Sequence, residues 1–192
     1  LIVSVQSFRF TETMPSDSPR RYFDKGLRLA QIDKELLKLE AYMVKRVNDE
    51  RQARGLPSLT SHGLLAAIAR AHSGEMSDKN YFEHESPTPY LHTPSDRYFL
   101  AFHKRPRCVA ENIAMGSCNS WFNPEDALEK MVRHRLNLPW RPTQEDIEES
   151  QRGLMNSPGH CANILIPDTT IIGIGIVCKN GYFWVTQMFA FP

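Results

Sequence analysis

The chain has no apolar run long enough to cross a bilayer. Its longest uncharged apolar stretches, Leu1 to Val5 and Ile171 to Val177, fall far short of the roughly 20 residues that a membrane helix needs. It also has no excess of either charge. Twenty-three Lys and Arg stand against 22 Asp and Glu, a net charge of +1 with His neutral, so no field draws it to the polyanionic backbone of nucleic acid. There is no Cys-x-x-Cys pair to suggest a zinc or dithiol redox motif. No Asn-x-Ser/Thr acceptor occurs, which favours a prokaryotic source, and neither His-Glu-x-x-His nor a Ser-His-Asp signature is present. Internal repeats and low-complexity tracts are absent too. What remains is 192 residues with 41% hydrophobic, 10% aromatic and 23% charged residues. That is the composition of one soluble globular domain able to bury a sizeable core.

Four cysteines, Cys108, Cys118, Cys161 and Cys178, are an even number, which favours two disulfides in an oxidising compartment over four buried thiols in a cytosolic protein. Three connectivities are possible, and Cys108 with Cys118 and Cys161 with Cys178 is the preferred one. The first residue is Leu rather than Met. The expectation is a chain trimmed of a leader or cut from a longer one.

Residues 1–32 keep neither helical nor strand period for long and read as an extended N-terminal arm. From Asp33, apolar Leu36, Leu39, Met43 and Val47 recur at helical spacing until Gly55-Leu-Pro57, predicting one amphipathic helix over about 33–54. Ser61 can cap a second helix carrying Leu65, Ile68, His72 and Met76. Pro87, Pro89, Pro94 and Pro106 predict a long irregular loop over 84–108. Val109 to Met115 reads as a strand. Asn123-Pro-Glu-Asp126 starts a third helix ending near Arg135, broken by Pro139 and Pro142, and an acidic helix spans Gln144 to Met155. The runs Thr170 to Cys178 and Tyr182 to Phe191 flank Asn180-Gly181, the strongest short signal for a β-hairpin. Helices first and strands last imply α+β layering. The expected core is Leu36, Leu39, Met43, Val47, Leu65, Ile68, Ile172, Ile174, Ile176, Trp184 and Phe189.

Seven histidines exceed what packing requires. His72 and Glu75 have the H-x-x-E spacing of a metal pair on one helical face, although a hydrogen bond in the packing layer is the simpler reading. His160 next to Cys161 suggests a nucleophile pair, but adjacent side chains rarely face each other.

An ordered set of motifs is more telling: Tyr81-Phe-Glu-His84-Glu-Ser-Pro87, Ala110-Glu-Asn-Ile-Ala114, Gly153-Leu-Met-Asn-Ser-Pro-Gly-His-Cys-Ala-Asn-Ile-Leu165, Ile172-Gly-Ile-Gly-Ile176 and Tyr182 to Phe189. With Arg51 to Leu59 and His72 to Met76, this set resembles the CAP superfamily (SCP/TAPS, PR-1-like), most closely its bacterial secreted members, over residues 34–192. The resemblance implies a three-layer α-β-α sandwich with a C-terminal antiparallel hairpin and a shallow cleft. It implies that His84 and His160 face each other there beside Glu111, with Asn112 and Ser157 nearby. Two neutral imidazoles would hold a divalent cation, zinc first, weakly and with positions left for water. The family's second Glu is replaced by Ser157, its upstream Trp by Leu154, and the Gly before Glu111 by Ala110. Residues 133–151 look like an insertion, whose Glu148 and Glu149 could supply the missing carboxylate or simply form a solvated helix face.

The implied function is a secreted protein, extracellular or periplasmic, monomeric or weakly dimeric. Its expected ligand is a lipid or sterol, a cell-wall component or a peptide. A non-catalytic binding module stands first; a metal-dependent hydrolase with Glu111 as base is the alternative. An adhesin or assembly subunit is a third class.

Overall fold

The computed structural model describes residues 19–118, 135 and 141–192. In chain order these form α1 (Pro19–Ile32), α2 (Lys34–Gln52), β1 (Thr60–Ser61), α3 (Gly63–Lys79), α4 (Pro94–Phe102), β2 (Cys108–Ser117), α5 (Gln144–Asn156), α6 (Pro158–Ile164), β3 (Ile171–Lys179) and β4 (Tyr182–Phe191). No described helix is long and apolar enough to cross a membrane. The expected third helix from Asn123 lies outside the described residues apart from Arg135. The expected insertion is described there and from Arg141, where it becomes the start of α5.

The sheet order is β1-β3-β4-β2. β3 and β4 form the expected antiparallel hairpin, with Lys179 opposite Tyr182. Asn180 and Gly181, at φ 53° and 78°, make a two-residue turn that needs positive φ at both positions, which Asn and Gly adopt at little cost. β2 pairs antiparallel with β4 from Cys108–Phe191 to Ser117–Tyr182, and β1 pairs parallel with β3.

Helices cover both faces, giving the α-β-α sandwich. On one face Leu39, Met43 and Val47 of α2 and Ile147 and Leu154 of α5 pack on Ile172, Ile174, Ile176, Phe183, Val185 and Phe189. On the other, Leu65, Ile68 and Ala69 of α3 and Tyr98 of α4 pack on Met188 and Ala190, with Tyr22 of α1 against them. The alternation of Ile172 to Ile176 explains the asymmetry. Its isoleucines face α2, while its glycines face α3 so closely that a Cβ at Gly173 would lie 2.2 Å from the Leu65 carbonyl carbon and one at Gly175 2.0 Å from the Arg70 nitrogen. Of the expected core, only Leu36 is half-buried rather than buried.

Several expectations are corrected. Residues 19–32 are the helix α1 and not an extended arm; its one-sided contact with α3 was invisible without the partner. Ser61 lies in β1 and does not cap α3, whose N-cap is His62. The proline-rich loop contains α4, entered through a capping box in which the Thr93 hydroxyl accepts from the Asp96 N–H and the Asp96 carboxylate accepts from the Thr93 N–H. Thr93-Pro-Ser-Asp96 is a readable start signal.

The preferred cysteine connectivity also fails. Cys108 and Cys118 sit at opposite ends of β2, about 30 Å apart at the rise of a strand, far beyond the reach of a disulfide. Cys161 belongs to α6, whereas the Cys178 sulfur lies 3.2 Å from that of Cys118.

Candidate functional site

The site is built around β2. Its Glu111 carboxylate is almost wholly buried, with 1% of the side chain exposed, and is surrounded by donors. Oε2 accepts from Arg97 Nη2 of α4 at 2.6 Å. Oε1 accepts from His84 Nδ1 at 3.0 Å and lies 3.7 Å from His72 Nε2. Burial alone would raise the Glu111 carboxyl pKa; the Arg97 charge, the His84 hydrogen bond and His72 outweigh it and hold the group below the usual carboxylate range. Glu111 is therefore an anion at neutral pH, with both oxygens engaged.

Arg97 does more than neutralise that charge. Fully buried, it also donates to the carbonyls of His84, Leu91 and His92, fixing the irregular segment between α3 and α4. His84 follows from that placement. Its Nδ1–H is directed to Glu111, so a neutral ring keeps Nε2 as its acceptor. The Glu111 hydrogen bond raises its pKa against the opposing effect of partial burial.

His160 comes from α6, which docks on β2. The Asn112 amide donates to the His160 carbonyl at 3.1 Å and to Gln187 Oε1 at 3.2 Å. The Asn163 amide donates to Asn112 Oδ1 at 2.9 Å and to the Glu111 backbone carbonyl at 3.2 Å. Burial lowers the His160 pKa first and the His84 charge lowers it further. A cavity of about 590 Å³ opens beside His160, lined by β2 from Ile113 to Ser117, by Glu149 and Gly153 of α5, and by Ser157. Ser157 ends α5 and begins α6, and its hydroxyl caps neither.

The remaining candidates separate cleanly. His72 is fully buried in α3, donates to the Glu83 carbonyl, and is pushed down to about 4 by burial, against the attraction of Glu111. Its Nδ1 has no hydrogen-bond partner among the described residues. His72 and Glu75 make no metal pair, because the Glu75 carboxylate accepts from Lys79, Tyr81, Ser86 and Thr88. Glu148 pairs with Tyr42, while Asp146 and Glu149 of the insertion line the cavity.

A cation would find His84 and His160 here as donors, and the Glu111 oxygens already committed. Among the described residues no group of three His, Cys, Asp or Glu could hold a metal ion. The two imidazoles are fewer than the three protein ligands of a catalytic zinc site. Arg97 and Asn163 escaped sequence reasoning. Arg97 lay in what read as irregular loop, and Asn163 sits inside a motif whose histidine drew the attention.

A family model described as CAP, the cysteine-rich secretory protein family, matches residues 44–189. The chain is 35% identical over 148 residues to the uncharacterized protein YkwD of Bacillus subtilis (strain 168), covering 77% of this chain and 46% of that protein. It therefore spans about half the length of the curated relative it matches. It is similar to the structure of an extracellular SCP-domain protein from Bacillus anthracis str. Ames, at TM-score 0.56 and 26% identity, over 81% of this chain and 41% of that one. An outer surface protein of Borrelia burgdorferi shares the fold at TM-score 0.57 and 15% identity, over 83% and 96% of the two chains.

Proposed function

This chain belongs to the CAP, or cysteine-rich secretory protein, family, and we propose that it is an extracellular binding module whose ligand enters the cleft between His84 and His160. A divalent cation, zinc first, is held there weakly by the two imidazoles and completed by water or by the ligand itself. The observation that carries this reading is the arrangement of Arg97, Glu111 and His84. A buried carboxylate, neutralised by a buried guanidinium, is devoted to holding one half-exposed imidazole in one tautomer. Such second-layer support is what a ligand-binding histidine needs and what a merely exposed one lacks. The secreted location is part of the same proposal, supported by the likeness to an extracellular relative. The cavity beside His160 is where a lipid, cell-wall or peptide ligand would extend.

Zinc or cadmium calorimetry on wild type, His84→Ala, His160→Ala and His72→Ala tests it. Wild type should bind weakly, the first two variants should lose that binding, and His72→Ala, if folded, should keep it. Loss in the His72 variant alone would overturn the assignment.

A metal-dependent hydrolase is the second reading, favoured by the carboxylate-oriented imidazole. In that reading His84 and His160 would hold the ion, whose bound water is the nucleophile, and Glu111 would orient the His84 ring instead of acting as the base, since neither of its oxygens is free to take a proton from water. Turnover of a peptide or ester, abolished by chelator and by His84→Ala, would establish it. An absence of turnover across a broad panel alongside measurable cation binding favours the binding module.

A further inference from the structure

We infer that Cys118 and Cys178 are a disulfide-forming pair that clamps the end of β2 to the end of β3 across β4. Their sulfurs lie 3.2 Å apart although the residues are 60 positions apart in the chain. Cys118 is buried in the core cluster on the α2 and α5 face of the sheet, and the half-buried Cys178 packs against that cluster. The backbone brings them there. Cys178 is opposite Phe183 in the hairpin, and the Cys118 N–H donates to the carbonyl of Gly181 in the hairpin turn at 2.7 Å, which holds the residue after β2 beside the turn end of the hairpin. Cys108, at the far end of β2, has no access to this pair.

The chemistry closes without a further protein group. Cys178, the more exposed thiol, is lowered by the hydrogen bond from Cys118. The same contact and burial push Cys118 up, so Cys178 is the attacking thiolate. It displaces one thiolate from an exogenous disulfide such as oxidised glutathione, forming a mixed disulfide. Cys118 then gives up its proton to the departing thiolate and attacks the Cys178 sulfur, releasing the second thiol. Two protein thiols are oxidised and one small disulfide is reduced to two thiols. The closed loop runs from Cys118 to Cys178 and contains α5 and α6, hence His160. The bond therefore ties down both ends of the segment that brings His160 to the cleft, and constrains the unfolded chain over a long loop.

Peptide mapping of the wild-type protein after incubation with oxidised glutathione tests the pairing without any variant. The expected digest contains one cross-linked peptide pair carrying Cys118 and Cys178, with Cys108 and Cys161 alkylated. Four alkylated thiols, or a cross-link joining Cys118 or Cys178 to Cys108 or Cys161, would overturn it. Thermal melts test the clamp. Reductant should lower the melting temperature of the oxidised wild type and leave that of Cys118→Ala unchanged, whereas an equal drop in both would refute it. Neither readout depends on cation binding, so this inference and the proposed function fail separately.

Discussion

The contact of α3 with β3 and the polar junction around β2 hold the molecule together by opposite means. At the first, shape decides. Two glycines bring a helix onto a strand until no space for a Cβ remains, and the residues between them fill the core. At the second, charge decides. Arg97, Glu111, His84, Asn112 and Asn163 are joined by hydrogen bonds that link α4, α6, β2 and the segment after α3, with His72 of α3 3.7 Å from Glu111. The shape-determined contact tolerates no added atom, and the charge-determined one tolerates no lost partner. Of the two, the second leaves the His84 imidazole half-exposed, which is why the proposed site is placed there.

The comparison is broken most directly at the glycines. Gly175→Val should prevent folding or cost about 3 kcal/mol or more, because the clash is with helix backbone and cannot be relieved by a rotamer change; chemical denaturation would measure it, and a cost under about 1 kcal/mol would refute the close approach. Next comes the buried cation. Arg97→Ala leaves Glu111 buried without its main counter-charge and should cost about 3 to 5 kcal/mol, while Arg97→Ala with Glu111→Ala should recover part of the loss, a coupling that a double-mutant cycle reads directly.

A third test uses pH. His72 is neutral in the fold, with its pKa lowered from 6.5 to about 4. The unfolded chain therefore binds the extra proton first, and this contribution to stability is complete above pH 6.5 and lost as pH falls toward 4. Its size is on the order of 3 kcal/mol. Stability measured across that window should fall for wild type and fall less steeply for His72→Gln; parallel profiles would reject the role. The smallest effect is at the α6 dock. Asn163→Ala removes two hydrogen bonds and should cost about 1 kcal/mol, yet weaken cation binding at His160 more than stability, as calorimetry beside denaturation would show.

How far each region could be read from the chain follows the same division. The apolar stripe of α2, the Asn180-Gly181 hairpin and the alternation of Ile172 to Ile176 are patterns over a few neighbouring residues, and the structure has each where the pattern lies. The ordered motifs placed His84 and Glu111 together, and they touch. Arg97 was passed over because its partner is 14 residues away in another element. The cysteine connectivity went wrong because nearness in sequence was taken for nearness in space, and an extended strand separates its ends as far as a chain can.

Periodicity, turn chemistry and motif order were therefore determined by the sequence alone, since each depends on local backbone geometry and on which side chains avoid water. Only the tertiary structure decided that α1 is a helix packed on α3, that both Glu111 oxygens are taken up by Arg97 and His84, and that Cys118 meets Cys178. Those outcomes depend on which distant surfaces come together, and the free energy that selects them exists only once the layers have closed.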